Sequence, residues 1–539
     1  MAARSIKTTC SNNGWPRRAT PTVASMNAKP NTSSRLWPWV YVIAVVYFTL
    51  HLATSTRYGY FRDGLYYLAC AEHLAFGYVD QPPLIPVLGW IARHTFGTSL
   101  PALLLWPALA GASRIILTAA FARELGAQRF GIVLSAVLAA TPGVWFVIDH
   151  QFAMNAFEPL FWGGLAYVVL RIIKTKNSKL WLVFGAIAGV GLLSKYSLII
   201  FASALIAGVL LSRDRKILFT PWILAGGAIA FLIFLPNLIW NVQHDWPFLE
   251  LMHNIRTTGK DVVLPPGKYL LQQILMLNPV SFPFWFGGLL FYLFSRDAKS
   301  YRAFGFAFVI TILFFMITHG KDYYSASTYV MLFAAGAVAT ERLLAARPKL
   351  QMLLKPACFV WLMLGVLPLL PLVLPVLPIE TFLRYQSRLP FEVPKTERSF
   401  VGETLPQYYA DEFPWPGMVA AVAGVYHSLT PEEQQRTAIF GSNYGQAAAI
   451  DFFGPQYGLP KAISGHQNYF LWGPRQYTGD IVILLGGLEN EAREQFESVT
   501  VAATLNNPYA YRYENRPILL CRGLKWNLQA DWNRVKKWR

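Results

Sequence analysis

The first 379 residues alternate long apolar runs with short polar connections. A helix of about 20 apolar residues crosses a bilayer, and this criterion predicts eleven spans. The longest run is broken by the polar segment 194–197, so it is predicted to form two short helices. A further, interfacial helix is expected within 82–96, and the membrane part is predicted to hold about 11–13 helices. The predicted spans are 37–55, 100–122, 131–148, 156–173, 180–194, 197–211, 221–240, 272–295, 303–318, 324–341 and 356–378.

The pattern changes after residue 379, where prolines and charges become more frequent. Short apolar segments such as DIVILLGG, residues 480–487, are typical of buried strands. Thr430 precedes Glu433 at the spacing of a capping box, which predicts that a helix begins there. Residues 380–539 are therefore predicted to form a small soluble α/β domain outside the membrane.

Composition and charge agree with a membrane protein. The chain is 54% apolar and 14% charged, whereas a soluble domain carries about 25% charged residues. Residues 380–539 hold 16 basic and 16 acidic residues, so the whole net charge of +18 lies before them. The basic residues cluster between alternate spans, which is typical of cytoplasmic loops and argues against a nucleic-acid partner. This distribution predicts a cytoplasmic basic tail over 1–36, a membrane domain over 37–379 and a first outer loop over 56–99.

The first outer loop holds the most conspicuous acids. In FRDGLYYLACAEHL, the apolar residues recur at helical spacing, which predicts an amphipathic helix on the membrane surface with Asp63 as its N-cap. In GYVDQPPL, paired prolines are expected to hold Asp80 in an extended turn. An ionisable residue beside a bilayer is costly and therefore suggests a function. A purely structural cap at Asp63 and a solvated turn at Asp80 are the alternatives.

Other polar residues fall at the outer ends of the spans. His150 and Glu158 lie at the mouth of the third and fourth spans, where Glu158 is expected to begin a helix. Lys195 interrupts an apolar run, and HGKDYY places Lys321 in a short outer loop. Lysine and arginine are the usual partners of phosphate, so a lipid phosphate would suit this basic set. Contact with ordinary lipid headgroups, or a helix cap at Glu158, is the alternative.

Taken in order, the outer-loop aspartate, GYVDQPPL, LLSKYS and GKDYY resemble the GT-C class of polyprenyl-phosphate-sugar-dependent glycosyltransferases. The resemblance runs over roughly 37–345 and is strongest to bacterial members of glycosyltransferase family 39, the protein O-mannosyltransferase-like family. It extends to the lipid A aminoarabinose transferase. The segment SNYGQAAAIDFFGPQYGLPKAISGHQNYFLWGP, residues 442–474, is also similar to the bacterial members.

The resemblance implies an enzyme of the bacterial inner membrane that moves a sugar from a polyprenyl phosphate to an acceptor on the outer face. The acceptor would be lipid A or lipopolysaccharide, another glycolipid or a protein hydroxyl. Asp63 would be the general base, and the sugar carbon would invert. A divalent cation is left open, with no metal ligand assigned. The substrate-binding residues are expected to be Asp80, Arg57, Arg62, Gln81, His150, Glu158, Lys195, Lys321, Tyr323 and Tyr324.

Two departures from the family pattern leave alternatives open. Many relatives have a second carboxylate where this chain has Gly64, and some have a lysine where it has Gln81. The second departure moves the expected phosphate contacts to the four basic side chains Arg57, Arg62, Lys195 and Lys321. A multi-span transporter or flippase for lipid-linked sugars, or a degenerate relative without activity, is the alternative to an enzyme.

Overall fold

Helices dominate the structure, a computed structural model that describes residues 38–390, 393 and 397–538; the predicted basic tail 1–36 lies outside the described residues. Before residue 379 the described helices are α1 Pro38–Thr54, α2 Arg62–Glu72, α3 Leu84–Thr95, α4 Leu100–Glu124, α5 Arg129–Ala140, α6 Gly143–Asp149, α7 Glu158–Thr175, α8 Leu180–Leu192, α9 Leu198–Leu211, α10 Pro221–Gln243, α11 Pro247–Thr258, α12 Pro266–Met276, α13 Phe282–Phe294, α14 Arg302–Ile317, α15 Tyr329–Ala345 and α16 Pro348–Val373.

The apolar helices coincide in position with the predicted spans. Among the described residues, six helices are long and apolar enough to cross a membrane, and two bent pairs raise that number to eight. Three shorter apolar helices, α1, α8 and α9, match the remaining predicted runs. Helices suit this setting because each satisfies its backbone hydrogen bonds within itself. The predicted break within the run 180–211 is confirmed, since α8 ends at Leu192 and α9 begins at Leu198.

Two predicted straight spans are broken, which corrects the sequence prediction. The run 131–148 forms α5 and α6, which meet at an angle of 63°. The run 272–295 forms α12 and α13, bent by 95°. Each break contains a proline, Pro142 or Pro279. Proline lacks the N–H for a helical hydrogen bond, and its ring clashes with the preceding turn, so the helix is interrupted there.

The first outer loop carries the two predicted interfacial helices, α2 and α3. However, α2 begins two residues earlier than a cap at Asp63 would place it: Phe61 occupies the N-cap position, and Asp63 lies within the first turn without capping the backbone. The alternative interpretation of Asp63 as a helix cap is therefore wrong. In this position Asp63 still benefits from the positive end of the helix dipole, and its side chain is left to contact other parts of the protein.

The C-terminal part is α/β, as predicted. Its sheet has four strands in the order β1-β2-β4-β3; β1 pairs with β2 in parallel, and the other pairs are antiparallel. The predicted capping box of Thr430 and Glu433 is confirmed. The described elements are α17 Ile379–Gln386, α18 Gln407–Ala410, α19 Trp415–His427, α20 Pro431–Arg436, β1 Thr437–Gly441, α21 Tyr444–Phe453, α22 Asn468–Trp472, β2 Ile481–Leu485, α23 Glu489–Gln495, β3 Phe496–Ala503 and β4 Ile518–Leu524.

Helix α2 lies between the apolar helices and the C-terminal part. Its buried residues, such as Leu65, belong to one hydrophobic core that also contains Leu103 of α4 and Trp415 and Ile450 of the C-terminal part. Burial of such side chains contributes about 1.5–3 kcal/mol each. The shared core therefore fixes α2, and the acid in its first turn, against both neighbours.

Candidate active site

Asp63 stands at the interface between α2 and the C-terminal part. Its carboxylate is half-buried, and Oδ1 accepts a hydrogen bond of 2.7 Å from the hydroxyl of Tyr444, the first residue of α21. The neighbouring Arg62 pairs with Asp411, Nη2 to Oδ2 at 2.6 Å. Asp63 is thus held by a neutral hydroxyl donor, while the arginine beside it forms its ion pair with a different acid.

Asp80 follows the interfacial helix in a turn beside Asp63. Its Oδ1 accepts a hydrogen bond of 2.8 Å from Tyr66 of α2. Burial raises the pKa of Asp80 to about 7; the nearby charge of Asp63 acts in the same direction, while the Tyr66 hydrogen bond and Lys260 oppose it. The turn is held by Asn468, whose Oδ1 accepts from the Val79 N–H at 2.7 Å. The two acids of the first outer loop therefore lie within electrostatic reach of each other.

Lys195 lies in a second group beside this turn. Its Nζ donates to Glu158 Oε2 at 2.7 Å and to Asn155 Oδ1 at 2.8 Å, and it sits 4.5 Å from the ring centre of Tyr324. Glu158 begins α7, as predicted, and also accepts from Ser197. The pair is buried, so the lysine that interrupts an apolar run meets an anion there.

The turn that carries Asp80 packs directly on this second group. The backbone N–H of Leu84 donates to the carbonyl of Leu193 at 2.9 Å, and Asn237 donates to the carbonyl of Phe76 at 2.7 Å. These contacts bring Asp80 and the Lys195 region to the same side of the protein.

Lys321 and Tyr323 lie in a third group. Lys321 Nζ is 3.2 Å from Asp261 and 3.3 Å from Glu397, and Lys260 is 3.8 Å from Glu397. Burial alone would lower the pKa of Lys321, but its tyrosine and carboxylate neighbours hold it above the usual range. Burial likewise opposes ionisation of Glu397, yet Lys260, Lys321 and Arg62 lower its pKa to about 2. Lys321 and Glu397 therefore stay charged at neutral pH.

The basic side chains predicted to receive a phosphate are mostly paired with acids. Arg62, Lys195 and Lys321 each form an ion pair in the described part of the chain. Arg57 is exposed in the loop after α1. Lys260, whose side chain is 36% exposed, is the more accessible cation beside Asp80. A phosphate that enters here would share these cations with their carboxylates.

The side chains of Gln81 and His150 contact partners outside the three groups. Gln81 is fully buried, and its side-chain amide points at Cys70 Sγ, 3.9 Å away. His150 is buried against His51, with 3.4 Å between their Nδ1 atoms. Gly64 lies near His150, and a Cβ added there would approach Phe152 no closer than 3.9 Å, so the backbone leaves room for a side chain. The roles expected for Gln81 and His150 stay predictions.

A metal does not fit the residues present. Within 38–390, 393 and 397–538, no three His, Cys, Asp or Glu side chains converge as metal ligands. Asp63 and Asp80 are held by tyrosine hydroxyls instead, and Gly64 supplies no third carboxylate. No step below therefore uses a metal, and the divalent cation stays an open prediction.

Sequence reasoning assigned no role to several residues that hold the two acids or the charged side chains near them. Tyr444 and Asn468 lie within 442–474, the segment similar to bacterial relatives. That similarity pointed to the segment but did not indicate a role for either residue. Asp411 and Glu397 had no such signal, because an isolated acid in a soluble region is ordinarily solvated. Their importance comes from burial against Arg62 and Lys321.

Comparison with known proteins points to one group of enzymes. Residues 80–240 match the family described as dolichyl-phosphate-mannose-protein mannosyltransferase. Two curated relatives come from Rhizobium johnstonii (strain DSM 114642 / LMG 32736 / 3841). The lipid A galacturonosyltransferase RgtD is 27% identical over 34% of this chain and 39% of its own length. The lipopolysaccharide core galacturonosyltransferase RgtB is 27% identical over 38% of this chain and 42% of its own. The chain thus spans about two fifths of the length of these relatives.

The fold extends the similarity to most of the chain. ArnT from Cupriavidus metallidurans bound to undecaprenyl phosphate superposes with a TM-score of 0.56 at 15% identity, covering 90% of this chain and 98% of ArnT. Its apo form gives 0.57 at 16% identity, covering 90% and 97%. This chain is therefore a multi-span membrane protein with an ArnT-like fold. The predicted resemblance to GT-C glycosyltransferases is confirmed, by sequence over part of the membrane domain and by fold over nine tenths of the chain.

Proposed function

We propose that this protein is a membrane glycosyltransferase that moves a sugar from a polyprenyl phosphate to a hydroxyl acceptor, with Asp63 as general base. The observation that carries the proposal is the half-buried Asp63 carboxylate, which a tyrosine hydroxyl holds by one oxygen while the adjacent arginine pairs elsewhere. The similarity to named glycosyltransferases supports the reaction class.

In the proposed reaction, Asp63 accepts the proton of the acceptor hydroxyl as its oxygen attacks the anomeric carbon. The new C–O bond forms while the bond to the phosphate oxygen breaks, the carbon inverts, and polyprenyl phosphate leaves with the bonding electrons. Lys195, Lys260 and Lys321 supply positive charge for the leaving phosphate, since such charge stabilises the transition state. Asp80, beside Asp63, contacts the sugar or acceptor.

The substrates to test first follow from the comparisons. The two curated relatives are named for galacturonosyl transfer to lipid A and to lipopolysaccharide core, and one ArnT structure holds undecaprenyl phosphate. We propose undecaprenyl phosphate galacturonic acid as the first donor and lipid A as the first acceptor. The proposed setting is the bacterial inner membrane, with the basic tail 1–36 cytoplasmic and the domain 380–539 periplasmic.

The test is Asp63→Asn in purified protein, with Glu72→Gln on the same helix as the matched control. Asp63→Asn preserves shape and hydrogen bonding but removes the base, so sugar transfer should fall about 10²- to 10⁴-fold. Glu72 pairs with Arg93 and Lys461 at the surface, so its variant should transfer sugar at the wild-type rate. Both proteins should elute and melt like wild type.

Three outcomes separate the alternatives. Transfer by Asp63→Asn at the wild-type rate rules out Asp63 as the base. Movement of an intact lipid-linked sugar across vesicles, without transfer, would indicate the transporter instead. Absence of both activities from folded wild-type protein, across sugars and acceptors, would indicate a degenerate relative.

A further inference from the structure

The segment 442–474 reaches the outer-loop acids at two points, the first of them Tyr444. Its hydroxyl donates to Asp63, its backbone N–H donates to His466 Nδ1 at 3.2 Å, and its ring lies 4.8 Å from the ring of Tyr66 and 4.9 Å from that of His466. The Tyr444 side chain is therefore packed against two other aromatic rings, both tilted relative to it. A side chain fixed in this way presents its hydroxyl in one direction.

The residues beside Tyr444 fit this contact. Asn443 caps α21 by accepting from the Gln446 N–H at 2.9 Å. A Cβ on Gly445 would lie 2.5 Å from Cγ of Arg62 and 2.9 Å from the ring of Trp415. Only glycine allows the turn to approach the start of α2 so closely. The sequence NYGQ thus brings the C-terminal domain onto the residues that flank Asp63.

The second point of contact is Asn468, at the other end of the segment. This side chain is buried, and its Oδ1 accepts from the Val79 N–H. Its backbone N–H donates to Tyr66 Oη at 3.3 Å, and Tyr66 donates in turn to Asp80. Val79 is also buried against Trp538. Both the backbone before Asp80 and the donor to its carboxylate are thus held by the C-terminal domain.

We propose that Tyr444 and Asn468 are positioning residues, through which the C-terminal domain completes the active site. Tyr444 fixes one oxygen of Asp63 and leaves the other to receive the proton of the acceptor hydroxyl. Asn468 fixes the turn that carries Asp80. This inference rests on the proposed function and adds that the base is in place only while the C-terminal domain contacts α2.

A general base must meet its proton in a narrow range of distance and angle, and small displacements cost rate. A carboxylate at the first turn of a helix otherwise rotates about its last torsion, which is broad for aspartate. The hydrogen bond from Tyr444 restricts the range of this torsion angle. The contact between the rings of Tyr66 in α2 and Tyr444 in α21 couples the placement of both acids.

The first test is Tyr444→Phe, which keeps both ring contacts and removes the hydroxyl. Because a hydrogen bond to a charged group is lost, we expect kcat to fall about 10- to 100-fold while the KM for the polyprenyl-phosphate sugar stays within about twofold. Merely structural damage would lower the amount of folded protein rather than separate kcat from KM in this way.

The matched control is Tyr426→Phe. Tyr426 donates to the carbonyl of Gln434 at 3.1 Å, within the C-terminal domain. Its variant should keep the wild-type kcat and KM. A Tyr444→Phe protein with the wild-type kcat would overturn the proposal while leaving the proposed function in place.

A second test needs no sugar transfer. In Asn468→Ala, hydrogen–deuterium exchange of the peptide that contains Val79 should rise by about tenfold or more, because the N–H loses its acceptor. Tyr426→Phe should leave this peptide at the wild-type rate. Unchanged exchange in Asn468→Ala would overturn the positioning role. If wild-type protein transferred no sugar, the proposed function would fail, but this exchange would still report whether the domain holds the turn.

Discussion

Two Arg–Asp ion pairs of nearly equal length stand in very different surroundings. In the helical bundle, Arg114 of α4 pairs with Asp149 of α6 at 2.7 Å; at the interface with the C-terminal domain, Arg62 pairs with Asp411 at 2.6 Å. Both aspartates are fully buried. The bundle pair is closed on itself, whereas the interface pair has a further acid, Asp63, beside it.

The two ion pairs differ in the polar groups that surround them. Oδ2 of Asp149 accepts from both Arg114 and Tyr47, and the guanidinium of Arg114 also covers the ring of Trp145 at 4.1 Å. At the interface, Arg62 forms its ion pair with Asp411, and Asp63 accepts a hydrogen bond from the hydroxyl of Tyr444. A buried ion pair therefore indicates a structural role as readily as a catalytic one. The acid left outside the ion pair is the better candidate for catalysis.

The largest expected effect comes from breaking the closed pair. Arg114→Met leaves Asp149 buried and uncompensated, so we expect the free energy of unfolding to fall by about 3–5 kcal/mol. Thermal unfolding in detergent measures the loss. Because two apolar residues can replace a buried pair, Arg114→Met combined with Asp149→Leu should regain most of the stability. A double variant no more stable than the single one would show that the pair stabilises the fold by more than mutual charge neutralisation.

A smaller effect, set by pH, is expected at the interface. Burial raises the pKa of Asp80 from 3.8 to about 7. A carboxyl with a raised pKa in the folded state stabilises the protein fully below pH 3.8, and this stabilisation is lost as pH rises through about 7. The contribution should decline by roughly 2 kcal/mol over that window, given the partial exposure of Asp80.

The measurement compares the unfolding of wild type and Asp80→Asn at about pH 5 and about pH 8. Asparagine keeps an oxygen for Tyr66 but does not titrate, so the variant should lose less stability than wild type between the two values. Asp480→Asn, at an exposed position, serves as the control. Equal slopes for wild type and Asp80→Asn would contradict the prediction.

The smallest effect should follow from the exposed contact between the same two regions. Lys461 of the C-terminal domain pairs with Glu72 of α2 at 2.6 Å, with side chains 38% and 25% exposed. Exposed pairs contribute little, so Lys461→Ala should lower the free energy of unfolding by less than about 1 kcal/mol. Sugar transfer should stay near wild type. A large loss of either would mean that surface charge, rather than the shared core and the tyrosines, holds the domain on α2.

The sequence predicted local features well where one physical effect dominates. Apolar length placed the spans, and the Thr430–Glu433 spacing placed a helix start. The bends at Pro142 and Pro279 were missed because a run was judged by its hydropathy alone. Asp63 lies inside its helix rather than at the N-cap, which Phe61 occupies without a side-chain hydrogen bond, and the Asp63 carboxylate contacts the distant Tyr444 instead.

The partners of the candidate site were the hardest to predict. Tyr444 lies 381 positions from Asp63 along the chain, and Asp411 lies 349 positions from Arg62. No local pattern encodes such distances. Likewise, Glu72 bridges Arg93 of α3 and Lys461 of the C-terminal domain. Residue types and spacing therefore identify the acids, whereas the arrangement of domains decides which cation or hydroxyl each one meets.

The position of α2 between two regions has a consequence for protein engineering. One face of this short helix belongs to the membrane part, and the other fits a surface that the segment 442–474 supplies. In a chimera that exchanges only residues 380–539 with another protein, α2 would pack against a surface from that protein, to which it is not matched. The unit that has to be exchanged is therefore not one continuous segment of the chain: a working exchange has to carry α2 together with the C-terminal domain.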